Sequence, residues 1–253
     1  MRQDVRAPFA AALEQARQAA YPPGEYVGQE SLLRAGEIRR LADQAGIAVG
    51  VTVLDVCCGV AGPGRLLTAE RYCRYLGIDF SESALRIAGD LAGTLPCHFQ
   101  RMHVPPLPDG PFDVVLLLET MLAFPDKPAL VGEVARVLEH GGRFACTVEA
   151  GPPLTPNEGA LMPDADTVWP VELPELMVVL RAAGLEVTWQ HDWTAAHLAT
   201  ARALLTSFRA HGTDIAERIG ARALAELIHA HELWVGWLGN GRIRKVALVA
   251  EKR

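Results

Sequence analysis

A strand, a glycine-rich turn and a helix follow one another between Val53 and Arg65, where the sequence reads VLDVCCGVAGPGR. An acidic residue, Asp55, lies just before the turn. Glycine has no side chain in the way, so the backbone of such a turn can come close to a ligand. The helix behind it aims unpaired N–H groups and the positive end of its dipole at the same place. The segment therefore predicts a site for a nucleotide-like or carboxylate-bearing small molecule.

Length and charge narrow the class of protein. The chain has 253 residues, half of them hydrophobic, which suits one sizeable α/β domain with an elaboration. A net charge of -6 and scattered arginines argue against a nucleic-acid partner. No hydrophobic run approaches the roughly 20 residues that a membrane helix needs, so membrane insertion is not expected.

Cysteine usage and the first residues indicate a cytoplasmic protein. No hydrophobic secretory core follows Met1, so we expect no signal peptide. The five cysteines have no regular spacing and are typical of reduced, buried thiols. Cys57 and Cys58 are adjacent, but no second pair or histidine cluster completes a ligand set, so no metal site is predicted. The state of association stays open between monomer and homodimer.

Strands and helices alternate after Gly46, which predicts a doubly wound α/β sheet. A long helical stretch then precedes the last strand. The predicted strands are 51–57, 73–80, 97–102, 112–119, 143–149, 185–193 and 243–252. The predicted helices are 9–20, 29–45, 64–71, 81–92, 127–138, 173–183 and 195–238, the last with a break near residue 212. In open sheets of this kind the ligand lies at the carboxyl ends of the strands, so segments 55–62 and 119–124 should face the site.

Four segments together resemble the class I S-adenosylmethionine-dependent methyltransferases, specifically the small-molecule enzymes of the ubiquinone-biosynthesis type. The first is the glycine-rich turn, which is similar to the family's Asp-x-Gly-x-Gly loop. The other three read LGIDFS, LPDGPFD and EVARVL followed by GGR, and they begin at Leu76, Leu107 and Glu133. Their order and spacing make the resemblance specific over residues 51–149.

The resemblance implies a Rossmann-like, mostly parallel seven-stranded sheet with an antiparallel last strand. It divides the chain into an N-terminal helical cap over the cofactor (1–46), a cofactor-binding core (47–194), a helical lid at the acceptor (195–240) and the last strand (241–253). The implied activity is methyl transfer from S-adenosylmethionine to a small-molecule acceptor on carbon, nitrogen or oxygen. The product of the cofactor is S-adenosylhomocysteine.

Cofactor contacts follow from the same resemblance. Asp55 is expected to attract the ammonium and sulfonium side of the ligand, and Asp79 to accept from both ribose hydroxyls. The alternative for Asp79 is an acid that helps Ser81 cap the next helix. Phe80 should cover the adenine face. The backbone approach is assigned to Gly59, Ala61 and Gly62.

The chain departs from the family pattern at several positions. Cys57 and Ala61 replace the first and third loop glycines. His103, with Met102 beside it, stands where an acid normally meets the adenine amino group. No histidine follows Glu119 at the usual catalytic position, although Glu119 itself is expected at the cofactor. From the N-terminal helices, Tyr21 and Gln29 are expected to close over the cofactor.

Catalytic candidates are His197, His191 and Glu119. A base is needed only where the acceptor must lose a proton. The two histidines bracket Asp192, and a neighbouring carboxylate raises the basicity of an imidazole. An ordinary exposed turn is the competing interpretation for each. Trp234 and Trp237 line the acceptor pocket or fill the core.

Two other functions are open. A nicotinamide-dependent oxidoreductase is disfavoured, because the turn reads Gly59-x-x-Gly62-x-Gly64 rather than Gly-x-Gly-x-x-Gly. Asp55 would also repel a pyrophosphate. A methyltransferase-like protein that binds the cofactor but catalyses another reaction, such as a cyclisation, is the more serious alternative, since fold does not decide function.

Overall fold

The computed structural model describes residues 6–253, so the first five residues of the predicted cap lie outside the described residues. Within this range the strands are β1 (Thr52–Val56), β2 (Arg74–Asp79), β3 (Cys97–Arg101), β4 (Phe112–Leu117), β5 (Leu138–Ala150), β6 (Leu185–Asp192) and β7 (Arg244–Lys252). The helices are α1 (Arg6–Ala20), α2 (Ala35–Ala45), α3 (Gly62–Arg71), α4 (Glu82–Ala92), α5 (Lys127–Val137), α6 (Pro156–Leu161), α7 (Leu173–Ala182), α8 (Thr194–Ala210), α9 (Gly212–Ile219) and α10 (Ala221–Gly239).

The strands join into one sheet in the order β3-β2-β1-β4-β5-β7-β6. Strands β1 to β5 pair in parallel, and β7 runs antiparallel to both β5 and β6. The predicted fold class is confirmed, including the antiparallel last strand and the helices between β6 and β7. The strand order reverses between β1 and β4, so their carboxyl ends flank the crevice in which such sheets bind ligands.

Both faces of the sheet are buried. Neighbouring strand residues point to opposite faces, so Val53 joins a cluster with α2 and α3, whereas Leu54 packs toward α5 and α7. This burial explains why β1 and β4 are mostly hydrophobic, with one aspartate in each. It also makes the sheet a rigid frame for the residues at its carboxyl edge.

Helices α8, α9 and α10, here called the lid, form a helical layer together with α1. Leu13 of α1 packs with Leu204 and Phe208 of α8 and with Ile215 of α9. The N-terminal helix is thus attached to the lid. The predicted break near residue 212 is present at His211, and a second break at Gly220 was not predicted.

The predicted helix 29–45 is wrong over its first six residues, since α2 begins at Ala35. Gln29 explains the difference. Its side-chain oxygen accepts from the Val27 N–H at 2.6 Å, and its amide nitrogen donates to the Glu25 and Leu33 carbonyls. These bonds replace helical bonds over residues 25–33.

In the described range no helix is long and hydrophobic enough to cross a membrane. Over the same residues, no three His, Cys, Asp or Glu side chains are grouped so that they could hold a metal ion.

Candidate active site

The glycine loop, residues 57–62, turns back on itself at the end of β1. Cys57, Gly59 and Ala61 all have left-handed backbones, with φ of 61°, 55° and 54°. Such angles cost a residue with a Cβ about 1 kcal/mol or more, so this shape is kept at a cost. The loop therefore keeps the backbone conformation of a glycine loop, although Cys57 and Ala61 occupy two of the glycine positions.

Close packing fixes the loop from two sides. A Cβ on Gly62 would lie 2.6–2.8 Å from backbone atoms of Val27, Gly28 and Gln29. The linking segment, residues 21–34, therefore lies directly on the loop. Gln29 is 2% exposed and its amide is used inside that segment, so its side chain braces the backbone over the loop.

Asp79 ties the loop to the next helix. Its Oδ2 accepts from the Gly59 N–H at 3.0 Å, and its Oδ1 accepts from the Ser81 N–H at 2.9 Å. The Ser81 hydroxyl in turn accepts from the Ala84 N–H, as a helix N-cap. The helix-capping alternative is thus present in the structure, and the same carboxylate also holds the glycine loop.

Asp55 lies one layer deeper, inside β1, and is 3% exposed. Its Oδ2 accepts from the Tyr75 hydroxyl at 2.7 Å. Burial raises the pKa of Asp55 to about 7, with a smaller contribution from the charge of Asp79, while the Tyr75 hydrogen bond opposes the rise. The strand thus carries under the loop a carboxyl group whose charge is costly to maintain.

An aromatic surface follows β2 and β3. Phe80 is 42% exposed, and its ring stacks with that of His103 at 5.9 Å between centroids and 27° between planes. Met102 beside it donates its N–H to the Asp79 carbonyl at 2.9 Å. The structure therefore brings Phe80, Met102 and His103 together beside Asp79.

Glu119 follows β4 with another left-handed backbone, at a φ of 56°. Its N–H donates to the Thr147 hydroxyl at 2.5 Å. Its Oε2 accepts from the Lys245 ammonium at 2.9 Å and from the Leu32 N–H at 3.1 Å. Burial works to raise the pKa of Glu119, but the charges of Lys245 and His197 outweigh it and hold that pKa below its ordinary value.

His197, on α8, is fully buried between two glutamates. Its Nε2 lies 3.1 Å from Glu37 Oε2, and its Nδ1 lies 3.6 Å from Glu119 Oε1. His191 is placed elsewhere, on the edge strand β6, where its Nε2 lies 3.3 Å from an Arg40 nitrogen and its ring stacks on Trp189. The structure unites His197 with Glu119 and keeps His191 apart from them.

Tyr21 lies in the helical layer and is 6% exposed. Its hydroxyl donates to the Ser31 carbonyl. Burial raises its pKa, and the charge of Glu119 adds to the effect. Tyr21 therefore ties down the linking segment through its hydroxyl, and its phenol interacts electrostatically with Glu119.

Sequence reasoning missed two members of this site. Lys245, at the start of β7, is 6% exposed and lies 2.5 Å from Glu149 Oε1. Glu37 belongs to the capping box of α2, in which the Arg34 N–H donates to its Oε2 at 2.9 Å. A lysine directly before the hydrophobic run VALVA was the available signal for the first, and an acid three residues after the N-cap position was the signal for the second.

With this geometry in place, comparison with known proteins shows what the chain is similar to. A family model described as a methyltransferase domain matches residues 54–146, which contain the end of β1, the glycine loop, Asp79 and Glu119. Over these residues the chain is similar to methyltransferases.

Two curated relatives illustrate the similarity. The chain is 31% identical over 161 residues to 27-O-demethylrifamycin SV methyltransferase of Amycolatopsis mediterranei, covering 58% of each chain. It is 34% identical over 114 residues to sterol 24-C-methyltransferase of Eremothecium gossypii, covering 42% of this chain and 30% of that protein. Both alignments span less than two thirds of the relative's own length.

Solved structures agree on the fold over nearly the whole chain. The cyclopropane synthase MmaA2 from Mycobacterium tuberculosis aligns with a TM-score of 0.83 at 13% identity, over 99% of this chain and 98% of that one. The cyclase SpnF aligns with a TM-score of 0.77 at 21% identity, over 98% and 94% of the two chains. At these identities the likeness concerns the fold.

Proposed function

We propose that this protein transfers a methyl group from S-adenosylmethionine to a small-molecule acceptor. The observation that carries the proposal is the left-handed glycine loop bonded through the Gly59 N–H to Asp79, inside the matched methyltransferase domain. The loop presents backbone at close range, and the acid stands at the end of the neighbouring strand, as a bound nucleoside requires.

The residues present fit this cofactor. Phe80 and His103 form an exposed aromatic surface beside Asp79, which suits adenine next to ribose. Asp55 carries a carboxyl group under the loop that a cationic ligand would favour in its ionised form. When bound, S-adenosylmethionine supplies a methyl group on a positively charged sulfur. Among solved structures with this fold, a phosphoethanolamine N-methyltransferase of Haemonchus contortus is in complex with S-adenosylmethionine, and the cyclopropane synthase CmaA1 is in complex with S-adenosylhomocysteine.

A hydrophobic acceptor suits the far side of the site. Trp237 of α10 and Ala201 of α8 pack with Met162 and Val168, from the segment between β5 and α7. Trp234 is half-buried in the same cluster, and its ring lies 5.6 Å from the Lys245 ammonium. The named relatives act on a rifamycin and on a sterol, both of which are consistent with a hydrophobic acceptor.

His197 and Glu119 are the proposed groups for proton handling. Of the two predicted histidines, His197 lies beside Glu119 at the crevice between β1 and β4, and we favour it over His191 for that reason. The pair is required where a hydroxyl or a protonated amine must lose a proton as it is methylated.

Calorimetry and product analysis test the proposal. The protein should bind S-adenosylmethionine and S-adenosylhomocysteine, and Asp79→Ala should weaken both by about tenfold or more, because a charged acceptor of hydrogen bonds is lost. Asp109→Ala, at a fully exposed carboxylate, is the control and should bind as the unsubstituted protein does.

Incubation with methyl-labelled S-adenosylmethionine and hydrophobic hydroxylated acceptors should then transfer the label. Unchanged binding of the Asp79→Ala variant would contradict the ribose role. An acceptor that is converted without gaining label would favour the alternative of a non-methylating enzyme.

A further inference from the structure

Five charged or titratable side chains, three of them buried and two largely buried, meet at the carboxyl edge of the sheet and are here called the charge cluster. They come from five separate elements, which are α2, the segment after β4, β5, α8 and β7. The members are Glu37, Glu119, Glu149, His197 and Lys245. The N-terminal part, the lid and the sheet are therefore joined at one polar point.

Lys245 is the ammonium shared by two of the carboxylates. It lies 2.9 Å from Glu119 Oε2 and 2.5 Å from Glu149 Oε1, and the exposed fractions of the three side chains are 6%, 8% and 1%. Trp234 of the lid lies over the same ammonium. Two enclosed carboxylates this close repel each other, so both can stay ionised only beside a positive charge.

Glu119 links Lys245 to His197, because each of its two oxygens faces one of them. One of its oxygens is taken by Lys245 and by the Leu32 N–H, which leaves the other directed at the imidazole, 3.6 Å from Nδ1. Within the described residues, neither Glu119 Oε1 nor His197 Nδ1 has a hydrogen-bond partner. A third unpartnered atom, Glu149 Oε2, lies in the same cluster. Buried polar atoms of this kind concentrate where a protein handles protons or polar ligands.

We propose that Lys245 is a positioning residue that keeps Glu119 ionised and aligned beside His197. It acts through Glu119, and its role in the reaction rests on the proposed function of the site. The other titratable groups near the pair are Glu37, whose Oε2 lies 3.1 Å from Nε2 of the imidazole, and the neutral phenol of Tyr21, which interacts electrostatically with Glu119.

The electrostatics of the cluster agree with this role. Burial works to lower the pKa of Lys245, but Glu119 and Glu149 raise it above its ordinary value, so the ammonium stays charged. Burial raises the pKa of Glu149; Lys245 opposes this, and the charge of Glu119 adds to it. The lysine charge therefore favours ionisation of Glu119, the carboxylate that faces His197.

Replacing Lys245 by methionine tests the proposal without any ligand. The carboxyl carbon of Glu119 is followed by ¹³C NMR during a pH titration of glutamate-labelled protein, with Glu119→Gln to assign the signal. In Lys245→Met the midpoint should rise by about one to three pH units, because an opposite charge within hydrogen-bond distance is removed. Lys252→Met is the matched control, since Lys252 lies on the same strand and donates to the Leu138 carbonyl.

A double variant guards against loss of folding. Lys245→Met combined with Glu149→Gln removes one buried charge of each sign, and Glu119 should show the same rise in that background. Glu149→Gln by itself should leave the Glu119 midpoint at or below its original value, because the lysine is then unshared. A midpoint that stays within half a pH unit of the unsubstituted protein in both folded lysine variants would overturn the proposal.

The rate of methyl transfer supplies the second readout. Its acidic limb should move to higher pH in Lys245→Met by the same amount as the Glu119 midpoint, and should not move in Lys252→Met. A shifted titration with an unshifted rate profile would refute the positioning role. If the unsubstituted protein transferred no methyl group, the proposed function would fail, whereas the titration would still decide what Lys245 does to Glu119.

Discussion

Replacing Asp55 by asparagine would remove a buried carboxyl group while keeping its shape. The Tyr75 hydroxyl can still donate to the amide oxygen of asparagine, so the 2.7 Å contact is retained. What changes is the ability to ionise under the glycine loop. The variant therefore isolates the cost of charge at this position.

The magnitude follows from the pKa of Asp55, which burial raises from 3.8 to about 7. Between these two values the folded protein holds a proton that the unfolded chain has already released. Raising the pH through this window therefore lowers the free energy of unfolding, and the loss is complete above about pH 7. Roughly three pH units at 1.36 kcal/mol each give about 4 kcal/mol, of which about 3 kcal/mol falls between pH 5 and pH 8.

Urea unfolding at pH 5 and pH 8 measures this. The free energy of unfolding of Asp55→Asn, relative to the unsubstituted protein, should increase by about 3 kcal/mol from the lower to the higher pH. Asp109→Asn, at a fully exposed carboxylate, should show the same pH dependence as the unsubstituted protein. If the curves for Asp55→Asn and the unsubstituted protein stay parallel between the two pH values, the reasoning about buried charge is refuted. At pH 8 the variant should also bind S-adenosylmethionine more weakly, because it lacks the negative charge.

Two further substitutions address catalysis and packing. His197→Gln should lower turnover by about a hundredfold with little change in cofactor affinity. His191→Gln, at the sheet edge, should leave turnover unchanged. Equal effects of the two substitutions in steady-state kinetics would contradict the assignment. Gly64→Ala should destabilise the protein by about 1–3 kcal/mol in thermal unfolding, because the added carbon would lie 2.1 Å from the ring of Tyr75. Gly89→Ala, inside α4 with nothing within 4 Å, should instead be neutral or stabilising by about 0.5–1 kcal/mol, and a comparable loss there would count against the packing argument.

Local patterns were enough to predict most of the fold. The hydrophobic run of β1, the glycine loop and the Ser81 cap of α4 are each determined by neighbours within a few residues, so the sequence displays them directly. The linking segment was misread as helix because the side chain of Gln29 competes for backbone groups. Such competition depends on three-dimensional packing and leaves no periodic trace.

The places of the two aspartates in the fold were predictable for the same reason, while their cofactor roles stay predictions. Asp55 lies near the end of β1 and Asp79 ends β2, and the structure brings Asp79 to the glycine loop. The charge cluster was not predictable, since Lys245 and Glu119 are 126 residues apart, and His197 and Glu37 are 160 residues apart. Only the folded sheet and lid bring these groups together.

The place of β7 in the sheet has a consequence for biosynthesis. It pairs on one side with β5 and on the other with β6, although it is made after both and after the entire lid. Until residues 244–252 leave the ribosome, the inner edges of β5 and β6 have no partner strand, and open edges of that kind invite association between nascent chains. The same late strand delivers Lys245, so the buried glutamates receive their counter-charge only when the last strand is inserted. The crevice between β1 and β4 therefore cannot take its native form until residues 244–252 have been made.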